Sequence, residues 1–265
     1  CTPRQLGKLL QQSTQTWERL LSGTGGKLQL GKCFFYLMSW KWDTEGKPTL
    51  KTNDEMNVDI QLIDTPTGTT ESIKKKECTE AHRTLGAWPA PSGSQTQQLQ
   101  ILTDKSARFT RIIQTTKLTE TLADIAYWML YLPSMVYPLP STSLSKKQLN
   151  KVESPAIRAV LNASGYNSNF PRAVVYGPRR IGGMARRSLY TEQGVLKTTL
   201  LLRHLRGESV LADWLQIGIE YYQLIAGTST HVLTDVDTPL PHAEGDWITS
   251  LRLFLSECAT QIILP

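Results

Sequence analysis

The sequence predicts an α+β protein: a small antiparallel β-sheet with one helix, followed by a mainly α-helical region. Three observations carry this expectation. Leu6, Leu9, Leu10, Ser13, Trp17, Leu20 and Leu21 fall on one stripe at three- and four-residue spacing, so residues 3–21 predict a helix. An aromatic run over residues 33–42 and an apolar/polar alternation over 58–64 predict strands. From Gln97 onward the apolar residues recur at helical spacing, interrupted chiefly by prolines.

Taken in order, the first helix ends at Ser22-Gly23-Thr24-Gly25-Gly26, where glycines supply the conformations a helix end and turn require. Cys33–Trp42 reads as one strand, apolar on both faces at first, and Asp43–Pro48 as a turn. In the next strand Val58, Ile60 and Leu62 share a face opposite Asp59, Gln61 and Ile63. Arg83–Trp88 is a third, short strand ahead of Pro89 and Pro91. Leu99, Leu102, Phe109, Ile112 and Ile113 mark a helix, and Leu118–Leu132 another, ended by Pro133, Pro138 and Pro140. Residues 146–161 predict a helix with a break near Pro155. Glu192–Arg206, Val210–Ile225 and Asp246–Ile263 complete the set. The resulting division is 1–95, 96–206 and 207–265.

The chain has 265 residues, 40% of them apolar and 20% charged, which suits a folded protein with a real core. Its longest apolar run, Tyr127–Tyr137, is too short for a bilayer, so no membrane partner is expected. The first ten residues lack a basic head followed by an apolar segment. Cys1, Cys33, Cys78 and Cys258, and likewise His82, His204, His231 and His242, are dispersed without metal-ligand spacing. Reduced thiols in an intracellular protein are therefore expected, with no structural zinc. A chain that starts at Cys1 suggests a piece of a longer reading frame.

The net charge of +6 is unevenly placed. Residues 141–206 hold 12 Lys/Arg against two Asp/Glu, whereas residues 207–265 hold one against eight. A polyanion, most commonly nucleic acid, suits the basic middle; a solvated basic face explains the same charge. No self-contained catalytic motif is present: there is no GxSxG, phosphate-binding loop, HExxH, dinucleotide fingerprint or Asp-Asp pair. Asp235 and Asp237 lie in a Thr/Pro-rich loop and read as solvated acids.

Four short elements follow one another along the chain: Gly26-Lys27-Leu28-Gln29-Leu30-Gly31-Lys32-Cys33, Thr84-Leu85-Gly86, Lys105-Ser106-Ala107, and Gly177-Pro178-Arg179-Arg180-Ile181-Gly182-Gly183-Met184. This ordered set resembles the part of a retrotransposon reverse transcriptase, of the non-LTR kind, that follows the catalytic aspartates. The last element departs from the family, since Ala185 and Arg186 stand where its glycine pattern continues. The resemblance implies the end of a palm in 1–95, a basic thumb-like region in 96–206 and an acidic helical region in 207–265. It implies that Lys32, with Lys27 as substitute, serves the pyrophosphate side of the nucleotide site; a lysine capping a helix–strand corner is the other role open to it. It implies that Leu85 and Gly86 grip the primer end, with Trp88 packed beneath or simply in the sheet.

Lys146, Lys147, Lys151, Arg158, Arg172, Arg179, Arg180, Arg186, Arg187, Arg203 and Arg206 would then meet phosphates of an RNA template or RNA–DNA hybrid. Arg179-Arg180 and Arg186-Arg187 bracket the glycine turn and would share a surface. Deoxynucleotides would be used only by the complete enzyme, with Mg2+ at aspartates this chain lacks; no cofactor is expected here, and the fragment alone is expected to be inactive. Palm strands of that family pair with upstream partners, which implies an unsatisfied sheet edge. Two other functions fit the charge pattern: a non-catalytic basic nucleic-acid-binding protein, and a helical scaffold whose basic and acidic ends attract each other.

Overall fold

The structure is a computed structural model that describes residues 2–207, 209–240 and 245–263; Cys1 and His242 lie outside them. The chain is α+β and divides into two compact units, Cys1–His82 with Pro89–Ser94, and Arg83–Trp88 with Gln95–Pro265.

In the first unit, helix α1 (Pro3–Gly23) begins with a reciprocal capping box: Thr2 Oγ1 accepts from Gln5 N–H while the Gln5 side chain accepts from Thr2 N–H. Five short strands follow: β1 (Phe34–Tyr36), β2 (Trp40–Trp42), β3 (Pro48–Leu50), β4 (Ile60–Ile63) and β5 (Thr70–Lys76). They form a three-stranded sheet in the order β1-β5-β4 and a separate β2–β3 hairpin. Leu30, Phe35, Leu37, Met56, Ile60, Leu62 and Ile73 make the core of this unit.

Two expectations are corrected here. The sheet is mixed, because β1 runs parallel to β5, with Phe34 opposite Lys74, while β4 and β5 are antiparallel. A parallel pair needs a long crossover, and residues 37–69 supply it. Cys33–Trp42 is not one strand: pairing with β5 stops at Tyr36–Lys76, and Trp40–Trp42 turns to β3 through a loop in which Asp43 Oδ1 accepts from Glu45 and Lys47 N–H. Strand β5 carries no readable alternation, because TESIKKK shows the core only Ile73. Its lysines serve the backbone and a ring: Lys75 Nζ donates to Asn53 O and Met56 O, and Lys76 pairs with Glu80 and lies 4.7 Å over Phe34.

The stripe on α1 forms as a helix face, but part of it points outward: Leu9, Trp17 and Leu20 are 55–62% exposed, while Leu10 packs against the core. The helix turns its polar face to the sheet, and the reason is the outer edge of β4. Gln11 Oε1 accepts from Gln61 N–H at 2.9 Å and its Nε2 donates to Gln61 O. Gln15 repeats the pattern on Ile63, at 2.9 Å in both directions. Buried Glu18 accepts from Thr65 N–H at 2.9 Å and from Thr65 Oγ1 at 2.6 Å. Four helical residues advance about 6 Å and two strand residues about 6.7 Å, so amides at i and i+4 meet peptide groups at i and i+2. The expected unsatisfied edge is thus closed at β4, while β1 has a strand partner on one side only.

The second unit is helical: α2 (Thr96–Thr115), α3 (Glu120–Ala126), α4 (Leu132–Val136), α5 (Lys146–Ala163), α6 (Arg172–Tyr176), α7 (Leu189–Leu205), α8 (Val210–Ala226) and α9 (Trp247–Glu257). Between α3 and α4 the chain makes a π-helical turn over Tyr127–Tyr131, which sends both tyrosines into the core and carries the helix past Pro133 to Val136. Nor does Pro155 break α5. The helix starts from a Ser145–Gln148 capping box and runs through to Ala163 with Pro155 on its exposed side, where water can serve the carbonyl the ring leaves unpaired. Leu102, Leu149, Val160, Leu201 and Leu251 are fully buried in its core. Among the described residues no helix is long and apolar enough to cross a membrane.

The amide seal makes a direct prediction. Gln11→Ala with Gln15→Ala should cost about 1–2 kcal/mol of stability and speed hydrogen exchange at the Gln61 and Ile63 amides. Unchanged protection of those two amides by NMR would contradict the assignment.

Candidate nucleic-acid interface

Helix α5 carries three exposed basic residues that form no ion pair among the described residues. Lys147, Lys151 and Arg158 are exposed, and their spacing of four and seven residues puts them on one face. The helix has one carboxylate, Glu153, which points inward, where Tyr176 Oη–H and Leu189 N–H both donate to it at 2.7 Å. Burial raises its pKa, and these hydrogen bonds oppose the rise. The outward face of α5 is therefore cationic and free of acids.

The remaining predicted phosphate contacts separate into distinct environments. Arg186 is a correction: it is buried, paired through Nη2 with Asp124 and stacked 4.6 Å over Tyr127. It cannot share a surface with Arg179 and Arg180. Lys146 is exposed but bound to Glu257 at 2.7 Å, and Arg187 faces Glu192 at 3.5 Å. Arg172 is half-buried, with Nη1 enclosed. Arg179, Arg180, Arg203 and Arg206 are exposed and form no ion pair among the described residues.

The glycine turn that carries Arg179 and Arg180 is a packing device. Gly183 lies so close to Gly177 that a Cβ would fall 2.1 Å from its carbonyl oxygen. Met184 and Arg186 N–H then bond Val174 and Val175 O at 2.9 Å, and this inward course carries the Arg186 side chain off the surface.

Arg83–Trp88 is not a strand but a two-residue hairpin turn, with reciprocal bonds between Thr84 and Ala87. Leu85 and Gly86 both have positive φ, 50° and 95°, as such a turn demands. Gly86 lies against the Tyr137 ring, and Leu85 stands at the tip, 86% exposed. Trp88 is half-buried and its N–H donates to Gln98 Oε1. In the first unit, Lys32 ends a 3-10 turn over Leu30–Lys32, exposed and without an ion pair among the described residues. Lys27, its substitute, is tied to Asp64 at 3.2 Å. A hydrogen bond from Thr67, helped by Lys27, holds the Asp64 carboxyl below its usual range.

Sequence reasoning missed the interior polar groups. Lys197 is 1% exposed; its Nζ donates to Ser143 Oγ, Ser250 Oγ and Trp247 O, and burial pulls its pKa down to about 7. The signal was legible, since Gln193 and Lys197 fall on the buried stripe with Leu189 and Leu201. Arg252 is likewise buried, donating to Val232, Asp235 and Thr238 carbonyls. Among the described residues no group of three His, Cys, Asp or Glu side chains could hold a metal ion. No family model, curated protein or solved structure matches the chain.

Two predictions follow from this sorting of charge. Arg186→Ala should cost about 2 kcal/mol of stability, because it strips an ion pair and a ring contact, yet leave polyanion affinity of the folded protein unchanged; Lys151→Ala with Arg158→Ala should do the reverse. Thermal melts and hybrid-binding titrations on the same samples separate the two. Lys197 has a lowered folded pKa, so the unfolded chain holds its proton more tightly. The Lys197 contribution to stability should therefore rise from pH 7 to about pH 9, with a slope of at most about 1.4 kcal/mol per pH unit; above that range the buried Tyr127, Tyr131, Tyr176 and Tyr190, whose pKa values burial raises, act in the opposite direction. Denaturant titrations of Lys197→Met should show that this slope is gone.

Proposed function

We propose that this chain is part of an RNA-directed DNA polymerase, a reverse transcriptase of a retrotransposon, and that its task is to hold the template–primer hybrid. In this reading residues 1–95 close the palm, 96–206 form the thumb and 207–265 a following helical region. The single observation that carries it is the acid-free α5 face with Lys147, Lys151 and Arg158. Such a face meets phosphates without reading bases, which is what an enzyme that must copy any sequence requires. Arg179, Arg180, Arg203 and Arg206 extend the charge available in the same unit.

The hairpin tip at Leu85–Gly86 supports a primer-grip role. A non-glycine residue in the left-handed region costs about 1 kcal/mol, and such strain is commonly kept where a site uses it. Lys32 supports the pyrophosphate role by being unpaired among the described residues, where Lys27 is engaged. Polymerisation itself belongs to aspartates, and their Mg2+, that this sequence does not contain. One observation favours the scaffold reading instead: the Lys146–Glu257 pair joins the basic segment to the acidic one.

The test is a salt titration of binding to an RNA–DNA hybrid. With three phosphate contacts on α5, log K should fall against log salt with a slope of about −2 to −3. Lys151→Glu with Arg158→Glu should flatten that slope. Affinity independent of salt would refute phosphate contact.

A further inference from the structure

Helix α8 is apolar on two opposite sides. Leu215, Ile219 and Tyr222 pack into the core of its own unit. On the other side Val210, Trp214, Ile217, Tyr221 and Leu224 are 59–77% exposed. Their spacing of four, three, four and three residues is that of a helix seam, about 21 Å long. Asp213 and Glu220, seven residues apart, flank this stripe on one side, and α8 carries no basic residue.

The same unit has a groove that matches. Helices α2 and α3 border a cavity of ≈ 610 Å³ whose apolar lining includes Phe109, Ile112, Leu122, Ile125 and Leu130. Lys105 and Arg108 stand in its wall, and no carboxylate lines it. The cavity has room for an indole, and large aromatics seated in such pockets dominate interface energies.

We propose that the α8 stripe of one copy of this chain seats in the α2–α3 groove of a second copy. Trp214 is the anchor, and Asp213 and Glu220 face Lys105 and Arg108. The stripe and groove lie in one compact unit, and α8 is held there by Leu215, Ile219 and Tyr222 on its inner side. Its outer side cannot reach its own groove without unpacking them, so the contact forms between copies. Such a contact either repeats head to tail or closes about a two-fold axis, with each copy giving its stripe and its groove. A single helix face of this size buries less than a standard interface and points to micromolar affinity.

Sedimentation velocity of the intact chain, from about 1 to about 100 μM, tests this. Association should grow with concentration and weaken as salt is added. Trp214→Ala, at an exposed position, should raise the dissociation constant by about tenfold or more. Lys105→Glu with Arg108→Glu should weaken association, as should Asp213→Lys with Glu220→Lys, and joining both reversals in one chain should restore it. Circular dichroism establishes that each variant is folded; Arg108→Glu alone serves if Lys105, which also binds Ser134 O, proves necessary for folding. A monomer at every concentration overturns the proposal. So does association that survives the groove reversal, or a combined variant as weak as its parents.

Discussion

Peptide groups withdrawn from water need partners, and in this protein helices supply them from side chains where no neighbouring strand does. Gln11 and Gln15 present primary amides to the β4 edge, each returning one donor and one acceptor as a peptide would. Gln193 on α7 treats the extended segment 142–144 the same way: its Oε1 accepts from Thr142 Oγ1 and Leu144 N–H, and its Nε2 donates to Leu144 O. One turn further on, Lys197 reaches Ser143. In both units polar side chains four residues apart thus take inward-facing positions on a helix: on α1 they leave Leu9, Trp17 and Leu20 exposed, and on α7 they share the buried face with Leu189 and Leu201.

Such inward placement also explains where the charge went. A count of basic residues between 141 and 206 suggests a broad cationic surface, but folding spends several of them inside. Arg186 and Lys197 are buried among ring faces and oxygen acceptors, and Lys146 and Arg187 are matched by Glu257 and Glu192. What reaches solvent without an ion pair among the described residues is a smaller set: Lys147, Lys151 and Arg158 on one face of α5, and Arg179, Arg180, Arg203 and Arg206 elsewhere in the unit. Arg252, the sole cation of the acidic region, is used to gather the carbonyls of residues 232–238 beneath α9.

The sequence showed the longer helices, because their apolar spacing is local, but not the short α6, and α9 ends at Glu257 where the expected helix ran to Ile263. It showed β4 for the same reason, with Ile60 and Leu62 buried and Gln61 and Ile63 outward. It could not show strand direction, which depends on partners far apart, nor β5, whose single buried Ile73 leaves no alternation to read. The outward turn of Leu9, Trp17 and Leu20 escaped because periodicity fixes that a stripe exists, not what covers it. For the candidate site, the lysines of α5 were legible from spacing, whereas the burial of Arg186 depends on Asp124 and Tyr127, some sixty residues away.

The amide seal on β4 has a chemical lifetime. Hydrolysis of the Gln15 amide would replace nitrogen by oxygen in an otherwise identical shape. The acceptor for the Ile63 N–H would survive, but the group facing the Ile63 carbonyl would change from a donor into a second lone pair carrying negative charge. The closure is thus asymmetric in its failure: one exchanged atom turns attraction into repulsion along a row of peptide groups, and an aged molecule would present an open edge able to recruit other chains.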